Sequence, residues 1–90
     1  MIDYTMLDKR IDELQGELIA DIQKWVSIPS VPGAPEEGKP FGGVVANMLD
    51  LALETGRKYG FETRNVDYYA GDISMGSGEE TMGMLAHLDV

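Results

Sequence analysis

The sequence predicts an α/β fold in which two amphipathic helices are followed by three strands, and three observations carry that prediction. Apolar residues recur at steps of three and four across residues 5–27 and again across 41–59, the spacing that gathers them on one helical face. From residue 61 the pattern changes to short β-like runs and strict alternation. Between the helices lies a stretch, 29–40, that holds all four prolines of the chain. Ninety residues allow one small domain with a marginal core.

The first helix, about Thr5 to Ser27, carries Leu7, Ile11, Leu14, Leu18, Ile22, Trp25 and Val26 as an apolar stripe. Asp8, Lys9, Asp12, Glu13, Asp21 and Lys24 sit mostly off that stripe. Thr5 or Asp3 can cap its first turn, Gly16 weakens it by up to ~1 kcal/mol, and the Ile28-Pro29 pair ends it, because the residue before a proline is pushed to extended backbone. The stripe reads as core rather than as a cofactor box. The proline-rich stretch reads as an extended surface connection containing a Glu36-Glu37-Gly38-Lys39 turn. Ser27 and Ser30 are rejected as nucleophiles: the only available base is His87, and hydroxyls beside helix ends usually serve the backbone.

The second helix, about Phe41 to Tyr59, presents Val45, Met48, Leu49, Ala52 and Tyr59 on its apolar face. Arg57 and Lys58 complement its C-terminal dipole and Gly60 stands at C′. Gly42-Gly43 reads as a chain bend in preference to an anion site. Three strands then follow in the prediction: Phe61 to Val66, polar and mixed as an edge strand would be; Tyr68 to Met75, alternating Tyr69, Gly71, Ile73 and Met75 against Ala70, Asp72 and Ser74; and Thr81 to Ala86, nearly all apolar and suited to a sheet interior. Gly76-Ser77-Gly78-Glu79-Glu80 is expected to form the hairpin turn between the last two. No helix follows Gly76-Ser77-Gly78, so it lacks the helix N-terminus of a phosphate loop, and Glu79-Glu80 reads as solvated charge rather than a catalytic pair.

The formal charge of −9, from 16 acidic and 7 basic residues, argues against nucleic acid or an anionic membrane as partner. With no cysteine, disulfides and thiolate ligands are excluded, and any metal must be held by nitrogen and oxygen. The opening residues lack a basic segment followed by an apolar run, and no apolar stretch approaches the roughly 20 residues of a membrane span. A cytoplasmic protein is the expectation.

The only histidine stands at the end of the last apolar run, in His87-Leu88-Asp89-Val90. In extended backbone, side chains at i and i+2 share a face, so the His87 imidazole and the Asp89 carboxylate point the same way. A neutral imidazole can bind zinc through one ring nitrogen while a carboxylate holds the N–H of the other, fixing the tautomer and raising ligand basicity. The spacing alone also fits a histidine simply hydrogen-bonded at the end of a buried strand. Catalytic zinc normally takes three protein ligands, so the pair is a ligand with its support and not a complete site.

In order, the chain shows a helix, Ile28-Pro29-Ser30-Val31, Pro40-Phe41-Gly42, a helix, Gly60-Phe61, Asn65-Val66-Asp67, Tyr69-Ala70-Gly71, Gly78-Glu79-Glu80 and Leu85-x-His87-Leu88-Asp89-Val90. This series resembles the N-terminal portion of the bacterial dizinc dipeptidases of the PepV and Xaa-His (carnosinase-like) type. Those enzymes lie within the larger superfamily of aminoacylase, succinyl-diaminopimelate desuccinylase and carboxypeptidase G. The resemblance implies that residues 1–90 open a zinc-exopeptidase-type α/β/α catalytic domain and are an incomplete piece of it. It implies that His87 is the first metal ligand and that Asp89 is the acidic residue orienting it. The bridging aspartate, the glutamate general base and the later substrate-binding histidine of that family would lie beyond Asp89; Glu79-Glu80 precedes the ligand histidine and is therefore not the family's Glu-Glu dyad.

For the complete enzyme the resemblance implies hydrolysis of dipeptides with two zinc ions as cofactor, roughly 3.5–4 Å apart, activating water and polarising the scissile carbonyl. Residues 1–90 alone are expected to be inactive and to self-associate through unpaired strands. A different class of reading, a self-sufficient acidic α/β module that binds a partner through an exposed sheet edge, explains neither the terminal motif nor the match along the chain.

Overall fold

A computed structural model describes residues 2–90 and contains two helices and two strands in the order α1 (Tyr4–Val26), α2 (Gly43–Lys58), β1 (Glu62–Val66) and β2 (Ala70–Ser74). Both helices lie within two residues of their expected bounds. Asp3 supplies the N-cap of α1, its Oδ1 accepting from the Thr5 and Met6 amides at 3.0 and 3.3 Å. At the end of α2, Gly60 takes φ +87°; its amide donates to Arg57 O and the Phe61 amide to Gly56 O, the paired bonds of a Schellman cap that only a left-handed C′ residue allows.

The second helix is the centre of the molecule. It packs against both the β1–β2 hairpin and α1. Among the described residues, the buried apolar ones all belong to it: Ala46, Met48, Leu51, Ala52 and Leu53. Strands β1 and β2 pair antiparallel with Thr63 opposite Ile73 and Asn65 opposite Gly71. The predicted alternation therefore holds, because Gly71 and Ile73 share the face turned to α2. A Cβ placed on Gly71 would lie 2.8 Å from Leu49 Cδ1 and 3.1 Å from Leu53 Cδ2, while Ile73 lies against Gly56. Asp67 and Tyr68 turn the hairpin at φ +52° and +60°, held by a 2.9 Å bond from the Tyr68 amide to Asn65 Oδ1.

Helix α1 joins this centre only by its last turns. Trp25 Nε1 donates to Thr55 Oγ1 at 3.1 Å, Lys58 Nζ lies 3.2 Å from Asp21 Oδ1, and Tyr59 Oη donates to Asp21 Oδ2. The hydrogen bond from Tyr59, with the nearby Lys58, holds the Asp21 carboxyl below its ordinary value; the same contact raises both Lys58 and Tyr59. No residue of α1 is buried, and Leu7, Ile11, Leu18 and Ile22 of the stripe stay exposed. The expectation that the stripe is core is thus not met within residues 2–90.

The third strand is a correction. Residues 75–90 contain no helix or strand, and the expected Gly76–Glu80 hairpin is absent among the described residues. Met82, Met84 and Leu85 are 87, 89 and 104 % exposed. The physical reason is that a strand is a paired state, and an all-apolar strand needs neighbours on both sides. Only β1 and β2 are present to form a sheet, and each pairs with the other. Among the described residues no helix is long and apolar enough to cross a membrane.

Candidate functional site

The segment carrying His87 is fastened to the proline-rich connection 58 residues earlier in the chain. Two consecutive γ-turns, Ser30 N–H to Ile28 O at 2.9 Å and Val31 N–H to Pro29 O at 2.8 Å, fold the chain tightly just after α1. They expose Ser30 to the terminal segment on two sides. Its Oγ donates to Leu88 O at 2.8 Å, and its carbonyl accepts from the Val90 amide at 3.0 Å.

Beside those two anchors His87 and Asp89 meet, chiefly through the Asp89 main-chain carbonyl and less closely through the carboxylate that the i, i+2 spacing turns toward the ring. His87 Nδ1 lies 2.9 Å from Asp89 O and 3.4 Å from Asp89 Oδ1. Both partners are acceptors, so the contact requires a proton on Nδ1. In the neutral ring the lone pair is then on Nε2. With the His87 side chain 82 % exposed, that nitrogen is open to an incoming group.

Beside the pair lies a cavity of about 350 Å³, lined by Pro32, Phe41, Leu49, Tyr69, His87 and Asp89 among others. Phe41 and Tyr69 meet edge to face there, with centroids 5.7 Å apart and planes at 89°. The walls come from the proline-rich connection, the start of α2 and the hairpin turn, so three separate parts of the chain converge on His87.

Other candidates take the places their local chemistry dictates. Ser27 Oγ donates to Lys24 O at 2.6 Å, a backbone-serving hydroxyl as expected. Ser30 is no nucleophile either, since its proton is committed to a carbonyl, but its position against Leu88 was not legible in the sequence. Glu79 and Glu80 are exposed. At the start of α2, the Glu36 carboxylate lies over Gly43, within 2.9 Å of where a Cβ would stand, so the chain supplies its own anion to that helix end.

The donor set falls short of a complete metal site. Among the described residues, no three His, Asp or Glu side chains converge as a metal site would require. What is present is one imidazole whose Nδ1 is bonded to the Asp89 main-chain carbonyl, with the Asp89 carboxylate 3.4 Å away. This suits one ligand position of a zinc ion and leaves two of the usual three protein ligands to other residues.

No family model matches the chain. Among curated proteins it is 43 % identical over 76 residues to the Bacillus subtilis protein named "Putative dipeptidase YtjP", covering 82 % of this chain and 16 % of that protein. It is 33 % identical over 87 residues to "Putative dipeptidase SH1171" of Staphylococcus haemolyticus, covering 94 % of this chain and 19 % of that protein. "Putative dipeptidase SAUSA300_1697" of Staphylococcus aureus is similar at 31 % over 87 residues. The chain thus spans less than a fifth of the length of these relatives, each of them named as a putative dipeptidase, when taken at the 16 and 19 % shares above.

Proposed function

We propose that this chain is part of a zinc-dependent dipeptidase of the PepV or Xaa-His type, in which His87 is a metal ligand and Asp89 holds it in the ligating tautomer. One observation carries the reading: His87 Nδ1 is occupied by Asp89 while Nε2 stands open at a cavity mouth, in a chain similar along most of its length to proteins named as putative dipeptidases. The remaining ligands, the general base and the groups that read the dipeptide ends belong to parts of the protein outside residues 1–90.

A zinc ion, two in the complete enzyme, would acidify a water molecule and polarise the scissile carbonyl. The contribution of this chain is narrower. His87 supplies a neutral imidazole lone pair at Nε2. Asp89, through its carboxylate and its carbonyl, retains the proton on Nδ1 and strengthens the ring as a donor. Residues 1–90 by themselves are inactive in this reading, the protein acts in the cytoplasm, and its substrate is a dipeptide.

The test uses the full-length product. His87→Ala is expected to lower bound zinc and dipeptide hydrolysis together, and Asp89→Asn to lower metal affinity or activity by about 10–100-fold with folding near normal. A His87→Ala protein that retains its zinc and its rate removes His87 from the site. The alternative, a self-sufficient module docking through its sheet edge, has in its favour that the sheet has only two strands and both outer edges are open. It gives no account of the His87–Asp89 contact.

A further inference from the structure

Ser30 is the one buried polar residue among the described residues, 3 % exposed in a connection whose immediate neighbours are largely open. Its two bonds to the terminal segment fall on the two peptide groups that flank Asp89. Leu88 O belongs to the peptide preceding Asp89, and the Val90 N–H to the peptide following it. In a trans peptide the N–H and C=O point in opposite directions, and no cis peptide bond is present among the described residues. Holding the Val90 N–H on Ser30 O therefore aims the Asp89 carbonyl of the same peptide the other way, where His87 Nδ1 meets it at 2.9 Å. Fixing both flanking peptides also fixes the backbone from which the Asp89 carboxylate reaches Nδ1.

We infer that Ser30 is a positioning residue for the His87 imidazole: by clamping both peptides around Asp89 it holds the carbonyl and carboxylate that keep the proton on Nδ1 and leave Nε2 free. The value of this clamp to metal binding rests on the reading of His87 as a ligand; its effect on the tautomer does not. A hydroxyl is well suited to the task. The side chain is small enough to be buried against the turning segment, and its single proton goes to the Leu88 carbonyl.

The chain contains one histidine and one tryptophan, which makes the test direct. Long-range 1H–15N spectra of the zinc-free chain near pH 8, where an ordinary imidazole is neutral, report the tautomer of His87. The Trp25 indole N–H, bonded to Thr55, reports independently on whether α1 and α2 remain docked. The wild-type chain is expected to show Nδ1–H as the dominant form. Ser30→Ala is expected to move His87 toward the Nε2–H form while the Trp25 signal stays in place, and to weaken zinc binding by the full-length protein about 10-fold. An unchanged His87 spectrum in Ser30→Ala, or a wild-type ring dominated by Nε2–H, overturns the inference.

If Ser30→Ala loses the Trp25 signal, Ser30→Cys, which keeps the volume with a weaker donor, decides the matter: a shifted His87 with Trp25 intact supports the inference, and loss of both signals makes Ser30 merely structural. Zinc titration separates the two readings. A tautomer that responds to Ser30 in a ring that zinc does not perturb, in the full-length protein, leaves the clamp standing and removes the metal.

Discussion

Gly71 and Gly16 show how one substitution takes opposite signs in this chain. A Cβ on Gly71 would fall 2.8 Å from Leu49 Cδ1 and 3.1 Å from the Arg64 carbonyl oxygen, and the backbone atom cannot move aside. Gly71→Ala is therefore expected to destabilise by about 1–3 kcal/mol through overpacking. A Cβ on Gly16, in the middle of α1, meets nothing within 4 Å, so Gly16→Ala should stabilise by about 0.5–1 kcal/mol. Urea unfolding followed at Trp25 reads both; equal effects would mean that the hairpin does not press on α2. At this scale the proximity of His87 and Asp89 was legible, since a period of two puts i and i+2 on one side, but the bond to the Asp89 main-chain carbonyl was not. The sequence did not disclose Ser30, because nothing local in Ile28-Pro29-Ser30-Val31 signals a bond to a residue 58 positions away.

Among the elements, the junction of α1 with α2 is the one most exposed to pH. The Asp21 carboxyl is held low, chiefly by the Tyr59 hydroxyl, so its contribution is full above the ordinary value of 3.8 and is lost as the pH falls below that value through the folded one. Lys58 and Tyr59 are held high, chiefly by Asp21. Their contribution is full below the ordinary values of 10.5 and 10.0 and is lost as the pH rises through the folded ones. Trp25 emission should accordingly be steady near neutrality and shift to the red at both extremes, and Asp21→Asn should abolish the acid arm. An acid arm that survives in Asp21→Asn would assign it to other carboxyls. Both helices and the β1–β2 alternation were legible from period, caps and Gly60. The third strand was not, because the run from Thr81 to Ala86 encodes the environment it prefers and cannot supply the partner strands that create it.

Over the whole molecule, the 50 Å long axis and the exposed stripe of α1 describe a chain whose apolar surfaces outnumber their covers. The same is true of the open cavity beside His87 and of Met82, Met84 and Leu85. Each of these surfaces is patterned for burial: a heptad-like stripe on a helix, a walled pocket, an apolar run with strand character. The chain is similar to proteins about five times longer, from the 19 % share covered; under the proposed function, further polypeptide covers the stripe, flanks the apolar run as sheet neighbours and completes the ligand set around His87. The most direct test of this account is native mass spectrometry of the gene product purified from its own cell, which reads polypeptide mass and bound metal at once. The account predicts a chain several times heavier than 9.9 kDa carrying two zinc ions. A metal-free product of 9.9 kDa would contradict it and return attention to the open sheet edge.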